Sequence, residues 1–157
     1  MTEIHSDDVL RELIAGTIES GQLREVQRHK DSGRFARIRA LEQERVSWPE
    51  RILVPLQEHL YVVEADPVPL VKCRCGHEFG DYRRDWKEEA LVYERDAQDG
   101  EVFVGPRGAP SDWVVLREFY CPGCAAQLDV EVVPLGYPFV HNFVPDLEAL
   151  ADLEAAE

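Results

Sequence analysis

The chain has 157 residues, 45% of them hydrophobic, and a formal net charge of −14 at pH 7. This length predicts one domain, or one domain with appendages, and the hydrophobic content excludes a disordered chain. The acidic balance argues against a surface that binds the phosphates of nucleic acid, and no apolar stretch approaches the roughly 20 residues that a membrane span requires.

The first third of the chain, residues 1–47, is predicted to be a helical segment. Apolar residues recur at helical spacing over residues 6–20, where Ser6 or Asp7 can cap the helix and Gly21 can end it. Two further helices are expected over residues 22–30 and 34–45. Three such helices bury only a small apolar stripe, so the segment either packs on the rest of the domain or docks as an arm on a partner.

The middle of the chain, residues 48–134, has the patterns of a small antiparallel β domain. Short runs of β-branched and aromatic residues predict strands over residues 52–56, 60–64, 70–72, 90–95, 113–120 and 127–133. Pro55 cannot donate a backbone hydrogen bond and therefore marks the first strand as an edge strand. Residues 100–112, rich in glycine and proline, are expected to form a loop.

All four cysteines of the chain lie in two close pairs, Cys73-Arg74-Cys75 and Cys121-Pro122-Gly123-Cys124. In extended chain, residues two apart point to the same face, so Cys73 and Cys75 aim both thiols in one direction. In the second pair, proline and glycine allow the chain to fold tightly around an ion. Two such knuckles predict one tetrahedral zinc site, and four thiolates leave no open coordination position, which is typical of a structural metal.

Other interpretations of the cysteines are less favoured by the pattern. The polar, acidic N-terminus does not resemble a secretory signal, so reduced thiols and a cytoplasmic location are expected, not a disulfide framework. A redox Cys-x-x-Cys normally opens a helix, whereas this one lies between two predicted strands. Four thiolates also suit a rubredoxin-like iron centre. His77 could replace one cysteine as a ligand.

The last predicted strand alternates between apolar and charged residues. In a strand, successive side chains point to opposite faces of the sheet. Leu128, Val130 and Val132 are therefore expected to face the interior, while Asp129 and Glu131 face the solvent.

The C-terminal part, residues 135–157, is predicted to be an extended arm followed by a short acidic helix over residues 146–156. Three prolines and three aromatic residues within residues 134–145 exclude a helix there. Such a segment must lie on apolar surface, either on its own sheet or on another chain. The expected fold class is therefore α+β, with a small antiparallel β-sheet domain, a zinc-ribbon-like four-cysteine site, N-terminal helices and an extended arm.

Sequence patterns of catalysis are not found. The chain has no phosphate-binding loop, no dinucleotide-binding glycine motif and no nucleophile elbow. Asp81, Asp85 and Glu88 alternate with basic residues and are interpreted as a solvated, self-paired stretch. Of the histidines, His141 in the aromatic arm is the one that merits a functional test. The chain itself is therefore not expected to be catalytic.

Several segments resemble the small (gamma) subunit of acetone carboxylase. They are KCRCGHEF at residues 72–79, WK at 86–87, VYERD at 92–96, VLREFYCPGC at 115–124 and YPFVHNFVPDLE at 137–148. The related acetophenone carboxylases have a comparable small subunit. The likeness covers residues 48–148 and is specific, because both knuckles, the flanking strand and the aromatic arm occur in the same order.

The resemblance implies a subunit of a hetero-oligomeric, biotin-independent, ATP-dependent ligase. In this family, large subunits similar to hydantoinase and oxoprolinase proteins bind ATP, an acetone or aromatic ketone, and bicarbonate, and they form a β-keto acid. The small subunit binds zinc and helps to hold the assembly together. The positions that match its zinc ligands are Cys73, Cys75, Cys121 and Cys124, and none matches a catalytic or cofactor-binding residue. The implied partners are large carboxylase subunits, with no nucleic acid and no membrane.

Two functions of other classes are alternatives. One is a free-standing zinc-ribbon adaptor that binds a protein or nucleic-acid partner. The other is an electron carrier with iron at the four thiolates.

Overall fold

The computed structural model describes residues 5–96 and 113–155. It has the expected α+β class. Three helices come first, α1 (Asp7–Ala15), α2 (Ser20–Arg28) and α3 (Arg34–Gln43). A four-stranded antiparallel sheet follows in the order β1 (Ile52–Gln57), β2 (Leu60–Val63), β3 (Leu70–Cys73) and β4 (Glu78–Asp81). A short 3₁₀ helix (Trp86–Glu89) leads to a three-stranded antiparallel sheet of β5 (Leu91–Asp96), β6 (Val114–Tyr120) and β7 (Gln127–Pro134), and α4 (Leu147–Ala155) comes last.

The first helix is shorter than predicted, because it ends before Gly16 and not at Gly21. A helix over residues 6–20 that ends at Gly21 is wrong, because Gly16 adopts φ 69° and its amide donates to the carbonyls of Glu12 and Leu13, which ends α1 at Ala15. Gly21 instead lies inside α2. The predicted Ser6 cap is confirmed, since its side chain accepts a hydrogen bond from the Val9 amide.

The N-terminal helices pack on the first sheet of the same chain. The Tyr61 hydroxyl donates to Glu42 of α3 at 2.9 Å, and the Ile52 amide donates to Gln43 at 2.8 Å. On this side of the sheet, Ile52, Tyr61 and Val63 form one apolar cluster. The helices are thus a layer of the domain rather than a detached arm.

The opposite side of the first sheet faces the second sheet. Leu60, Val71, Cys73 and Phe79 of the first sheet form a second apolar cluster with Cys121 and Leu128 of the second sheet and its connection. Because β2 contributes to both clusters, all four of its residues are buried. The predicted hairpin and the edge position of Pro55 are confirmed, with β1 at the border of the sheet.

The second sheet contains the main departure from the predicted pattern. Phe119 pairs with Asp129 but Tyr120 pairs with Gln127, so β7 has an extra residue, Leu128, at a β-bulge. The bulge resets the alternation. Leu128 is buried as predicted, but Val130 and Val132 are exposed, and the prediction that they face the interior is wrong. Their strand neighbours Asp129 and Glu131 point inward instead.

The C-terminal arm folds back over its own domain. Arg117 donates to the Tyr137 carbonyl at 2.6 Å, and the ring of Phe139 packs edge-on against Phe119 with centroids 5.4 Å apart. Pro145 is buried. The predicted acidic helix follows as α4, and Asp146 accepts a hydrogen bond from the Ala149 amide in its first turn.

Two further expectations concern a loop and membrane-spanning helices. The loop predicted over residues 100–112 lies outside the described residues. Within the described ranges, the helices are too short and too polar to cross a membrane.

Candidate metal centre

The first cysteine pair lies where the first sheet turns from β3 into β4. The buried Cys73 ends β3, and its amide donates to the carbonyl of His77 at 2.8 Å. The Gly76 amide donates to the Cys73 carbonyl at 2.8 Å, and Gly76 adopts φ 100°, a conformation that favours glycine. The chain therefore wraps around the Cys73 sulfur and brings Cys75 beside it.

The second pair lies between β6 and β7 of the other sheet. The Cys121 amide donates to the Ala126 carbonyl at 2.9 Å, and the Ala125 amide donates to the Cys121 carbonyl at 2.8 Å. The Gly123 amide also points at the Cys121 sulfur, 3.3 Å away. This turn closes the second knuckle in the same way as the first.

The two knuckles touch at Gly123. A Cβ atom on this residue would lie 2.9 Å from the Cβ of His77 and 3.2 Å from the sulfur of Cys75. Contacts that short require the neighbouring atoms to move. Glycine at this position therefore sets how closely the two sheets approach each other.

The structure brings together all four predicted ligand residues. Their sulfur atoms all lie within 4.8 Å of one another. The Cys73–Cys124 distance between sulfurs is 3.9 Å and the Cys75–Cys121 distance is 3.7 Å. A tetrahedral centre with metal–sulfur bonds of about 2.3 Å requires sulfurs about 3.8 Å apart. The four side chains thus fit a metal ion, and they form the only cluster of three or more metal-binding side chains among the described residues.

The geometry does not fit a disulfide framework or a thioredoxin-type redox motif. All four are free, and the sulfur separations are far above the roughly 2.05 Å of a disulfide bond. The Cys121–Cys124 turn joins two strands and does not open a helix, unlike a thioredoxin-type redox motif. His77 is not part of the sulfur cluster, and its ring packs edge-on against Phe79 at 5.0 Å.

The four thiols differ in acidity when no cation is bound. Burial raises the pKa of Cys73 and of Cys121. Burial also opposes ionisation of Cys75, but the His77 amide and the neighbouring thiols donate hydrogen bonds that outweigh it and lower its pKa. A bound cation would hold all four sulfurs as thiolates, because metal binding displaces the thiol protons.

One side of the sulfur cluster faces solvent. Cys73 and Cys121 are buried, while Cys75 and Cys124 are exposed at the bottom of an open groove. Arg74 and Arg45 line this groove together with Glu44, and Arg45 is paired with Glu42 at 3.1 Å. The Nζ of Lys72 is 2.6 Å from a carboxylate oxygen of Glu50. Arg74 is therefore the cation beside the sulfurs that favours an anionic metal–thiolate centre.

Sequence analysis missed the contact between Trp48 and the first knuckle. The Trp48 indole Nε1 donates to the carbonyl of Arg74 at 3.2 Å, and its ring stacks edge-on with Tyr61 at 5.8 Å. In the sequence Trp48 marks only a boundary between segments. The two partners are 26 positions apart in the sequence, which gives no local signal of the contact.

A second missed feature is a buried ion cluster on the inner side of the second sheet. Asp81 and Arg83 pair at the surface as predicted, but Lys87 is buried. Its Nζ lies 2.8 Å from Asp129 and 3.0 Å from Glu131. Burial alone would lower the pKa of Lys87, but its hydrogen bonds to the two carboxylates outweigh burial and raise it.

The histidine selected for a functional test, His141, lies between the two sheets. Together with Tyr82, Asp85 and Trp86, it lines a cavity of about 140 Å³. It is not among the metal-binding side chains. A role for His141 stays a prediction.

Comparison with known proteins gives consistent results over most of the chain. The family model of the acetone carboxylase gamma subunit matches residues 46–154. The chain is 36% identical over 142 residues to the acetone carboxylase gamma subunit of Xanthobacter autotrophicus, covering 87% of this chain and 84% of that protein. It is 32% identical over 83 residues to the acetophenone carboxylase beta subunit of Aromatoleum aromaticum, covering 48% of this chain and 62% of that protein.

Proposed function

The chain belongs to the acetone carboxylase gamma subunit family, and from that membership we propose that it is the non-catalytic, zinc-binding small subunit of a biotin-independent, ATP-dependent ketone carboxylase. The complex would join acetone or an aromatic ketone with bicarbonate to give a β-keto acid. Large subunits similar to hydantoinase and oxoprolinase proteins would bind ATP and carry out the chemistry. The two relatives are named as subunits of carboxylases, which supports a hetero-oligomeric partner of this class.

Cys73, Cys75, Cys121 and Cys124 are the proposed zinc ligands. Four protein thiolates saturate a tetrahedral ion, so the ion has no position for a water or a substrate. The metal therefore supports the fold instead of the reaction. Thiols that must stay reduced to bind metal also support a cytoplasmic location.

The observation that carries the proposal is the origin of the ligands. One cysteine pair comes from the turn after β3 and the other from the turn after β6, so a bound ion would join the two sheets. The proposed division of the chain follows from this. Residues 1–47 are a helical layer, residues 48–134 are the unit that the metal organises, and residues 135–157 are an arm.

The test is to express the chain together with large hydantoinase-like carboxylase subunits, which we expect to be encoded beside its gene, and to purify the product by gel filtration. We expect one complex that contains this chain and one zinc per copy of it by elemental analysis. Large subunits that assemble and carboxylate ketone equally well without this chain would contradict the proposal. A red protein with visible thiolate-to-iron absorption would instead support the electron-carrier alternative.

A further inference from the structure

The two cysteines of each knuckle differ in their access to solvent. Cys73 and Cys121 are 0% exposed, and both belong to the apolar cluster that contains residues of both sheets. Cys75 and Cys124 are exposed at the open groove. Each knuckle therefore holds one sulfur in the core and presents the other to solvent. A reagent that enters the groove reaches Cys75 and Cys124 first, and cysteine oxidation follows such exposure.

The exposed sulfurs of the two knuckles lie close together, although they come from turns of different sheets. The Cys75 sulfur is 3.7 Å from that of Cys121 and 3.2 Å from the position that a Cβ atom on Gly123 would take. Because no two sulfurs of the cluster are more than 4.8 Å apart, Cys124 is within this distance of Cys75. A disulfide bond requires about 2.05 Å, and rotation of the two exposed side chains can supply the remaining approach.

The packing of the buried cysteines favours this pair over the other possible disulfides. Cys73 and Cys121 belong to a buried apolar cluster, and the Cys121 sulfur also accepts a hydrogen bond from the Gly123 amide at 3.3 Å. A disulfide that includes either of them requires its sulfur to move within a close-packed interior. A bond between Cys75 and Cys124 leaves both buried sulfurs in place.

Hydrogen peroxide can make this bond in two steps. The thiolate of one exposed cysteine attacks a peroxide oxygen, so that an S–O bond forms, the O–O bond breaks and hydroxide leaves. The thiolate of the other cysteine attacks the sulfur of this sulfenic acid, so that the S–S bond forms, the S–O bond breaks and a second hydroxide leaves. Each hydroxide takes a proton from the solvent. The two thiolates are thereby oxidised to a disulfide, and the peroxide is reduced to water.

We propose that Cys75 and Cys124 form an oxidation site at which peroxide replaces the ion between the two knuckles with a disulfide bond. The inference rests on the proposed function, which supplies the bound zinc. Cys73 and Cys121 remain as thiolates, and they are too few for a structural zinc site, which requires four ligands. The disulfide joins the same two turns as the ion, so the two sheets stay connected. A dithiol reverses the change by thiol–disulfide exchange.

The experiment treats the full-length, zinc-loaded chain with hydrogen peroxide and measures the released zinc with a chromogenic chelator. Non-reducing peptide mapping by mass spectrometry locates the disulfide, since trypsin cuts after Arg74 and separates Cys73 from Cys75. We expect a Cys75–Cys124 disulfide and one zinc released for each disulfide formed. Dithiothreitol with added zinc should restore the metal content. The oxidised chain should keep the hydrogen-exchange protection of β6 and β7, which removal of zinc by a chelator should abolish.

Cys124→His tests the pair without removing the metal centre. Three thiolates and one imidazole also hold zinc, but histidine cannot form a disulfide. At the same peroxide concentration this variant should release zinc at least about tenfold more slowly, because the remaining partners of Cys75 are buried. Glu44→Gln is the matched control, since it changes a side chain of the same groove and removes no sulfur. It should release zinc like the wild type. If Cys124→His does not take up zinc, peptide mapping of the wild type decides alone.

Zinc content and peptide mapping separate this inference from the proposed function. A purified chain without zinc would contradict the ligand assignment and with it the proposed function. Three results from a zinc-loaded chain would overturn the oxidation site and leave the proposed function standing. They are zinc that stays bound in a large excess of peroxide, a Cys121–Cys124 disulfide, and sulfinic acids without a disulfide. Equal rates of zinc release from the wild type and a zinc-loaded Cys124→His variant would overturn it as well.

Discussion

The two sheets of this protein differ in how much charge they bury. Strand β2 of the first sheet, Leu60–Val63, is buried on both sides by apolar neighbours. The second sheet turns charged side chains inward, where Lys87 and Arg117 are buried among carboxylates, and it exposes Tyr93 and Val132 outward. The first sheet thus has a mainly apolar core, whereas the second mixes buried Phe119 and Val133 with charged groups and depends on the cysteine centre and the arm. We expect the second sheet to be the less stable unit.

The largest effect is expected from removal of one metal ligand. Structural zinc contributes on the order of 10–16 kcal/mol to folding of small zinc-finger peptides, compared with about 5–15 kcal/mol for the whole stability of a typical domain. Cys121→Ser should therefore lose the metal and unfold the second sheet. In hydrogen exchange, amides of β6 and β7 should lose protection, while those of β2 keep part of theirs.

A chelator provides the control for this variant. It should reproduce the loss of protection in the wild-type protein and change nothing further in Cys121→Ser. Unchanged metal content and melting temperature in the variant would show that the ligand assignment is wrong.

The approach of the two sheets can be tested at Gly123. An added Cβ would be 2.9 Å from the Cβ of His77, so Gly123→Ala should push the knuckles apart. Overpacking of this kind costs about 1–3 kcal/mol, and we expect a matching loss of metal affinity in a competition titration with a chelator.

The matched control is Gly21→Ala in α2, where the nearest atoms belong to the flexible side chain of Glu19. This change should leave metal affinity unaltered and raise stability by up to about 1 kcal/mol, because alanine is the better helix former. Equal metal affinity in Gly123→Ala and the wild type would refute the close contact.

Each sheet is in contact with one buried lysine, Lys72 of β3 in the first sheet and Lys87 of the 3₁₀ helix against the second, which allows a direct comparison. Lys87→Met leaves Asp129 without a cation and Glu131 with only Arg117, 3.6 Å away, and these carboxylates are only 35% and 21% exposed. Lys72→Met leaves Glu50 and Glu78, which are 32% and 56% exposed. Breaking a fully buried pair costs about 3–5 kcal/mol, so we expect about 2 kcal/mol for Lys87 and about 1 kcal/mol for Lys72 after allowing for solvent screening.

Chemical denaturation of both variants at neutral pH measures the difference. The comparison between the sheets would be contradicted if Lys72→Met were the more destabilising change. It would also fail if Lys87→Met were neutral, since that would mean that the ion cluster adds nothing to the second sheet.

The parts of the fold that sequence predicted well are those with local signals. The cysteine pairs and the β1–β2 hairpin depend on spacing, turn residues and alternation within a few positions. The edge position of Pro55 also follows from local chemistry, because proline lacks a backbone donor. These features need no knowledge of distant partners.

The parts that sequence predicted wrongly depend on distant contacts. The alternation of β7 continues through Leu128, Val130 and Val132, but a bulge lets Asp129 and Glu131 reach Lys87, more than forty residues away. The arm fits its own sheet or another chain equally well by composition, and only the contact of Phe139 with Phe119 distinguishes the two. The end of the first helix was predicted at Gly21, but the left-handed conformation of Gly16 ends α1 at Ala15.

The smallest expected effect is a change in how the free energy of unfolding depends on pH, caused by Glu118 of the second sheet. The hydrogen bond from Arg95, together with that from Tyr120, lowers the pKa of Glu118 below its ordinary value of 4.5. A carboxyl group whose folded pKa is lowered contributes stability above its unfolded pKa, and this stability is lost as the pH falls through the folded pKa. Glu118→Gln removes the titrating group, so the stability difference between wild type and variant should be constant near neutral pH and should shrink below pH 4.5. Urea unfolding of both proteins at several pH values measures this difference, in which protonation of groups common to both cancels. If the difference stays the same across that range, Glu118 does not ionise more readily in the folded protein, and its ion pair with Arg95 does not stabilise the second sheet.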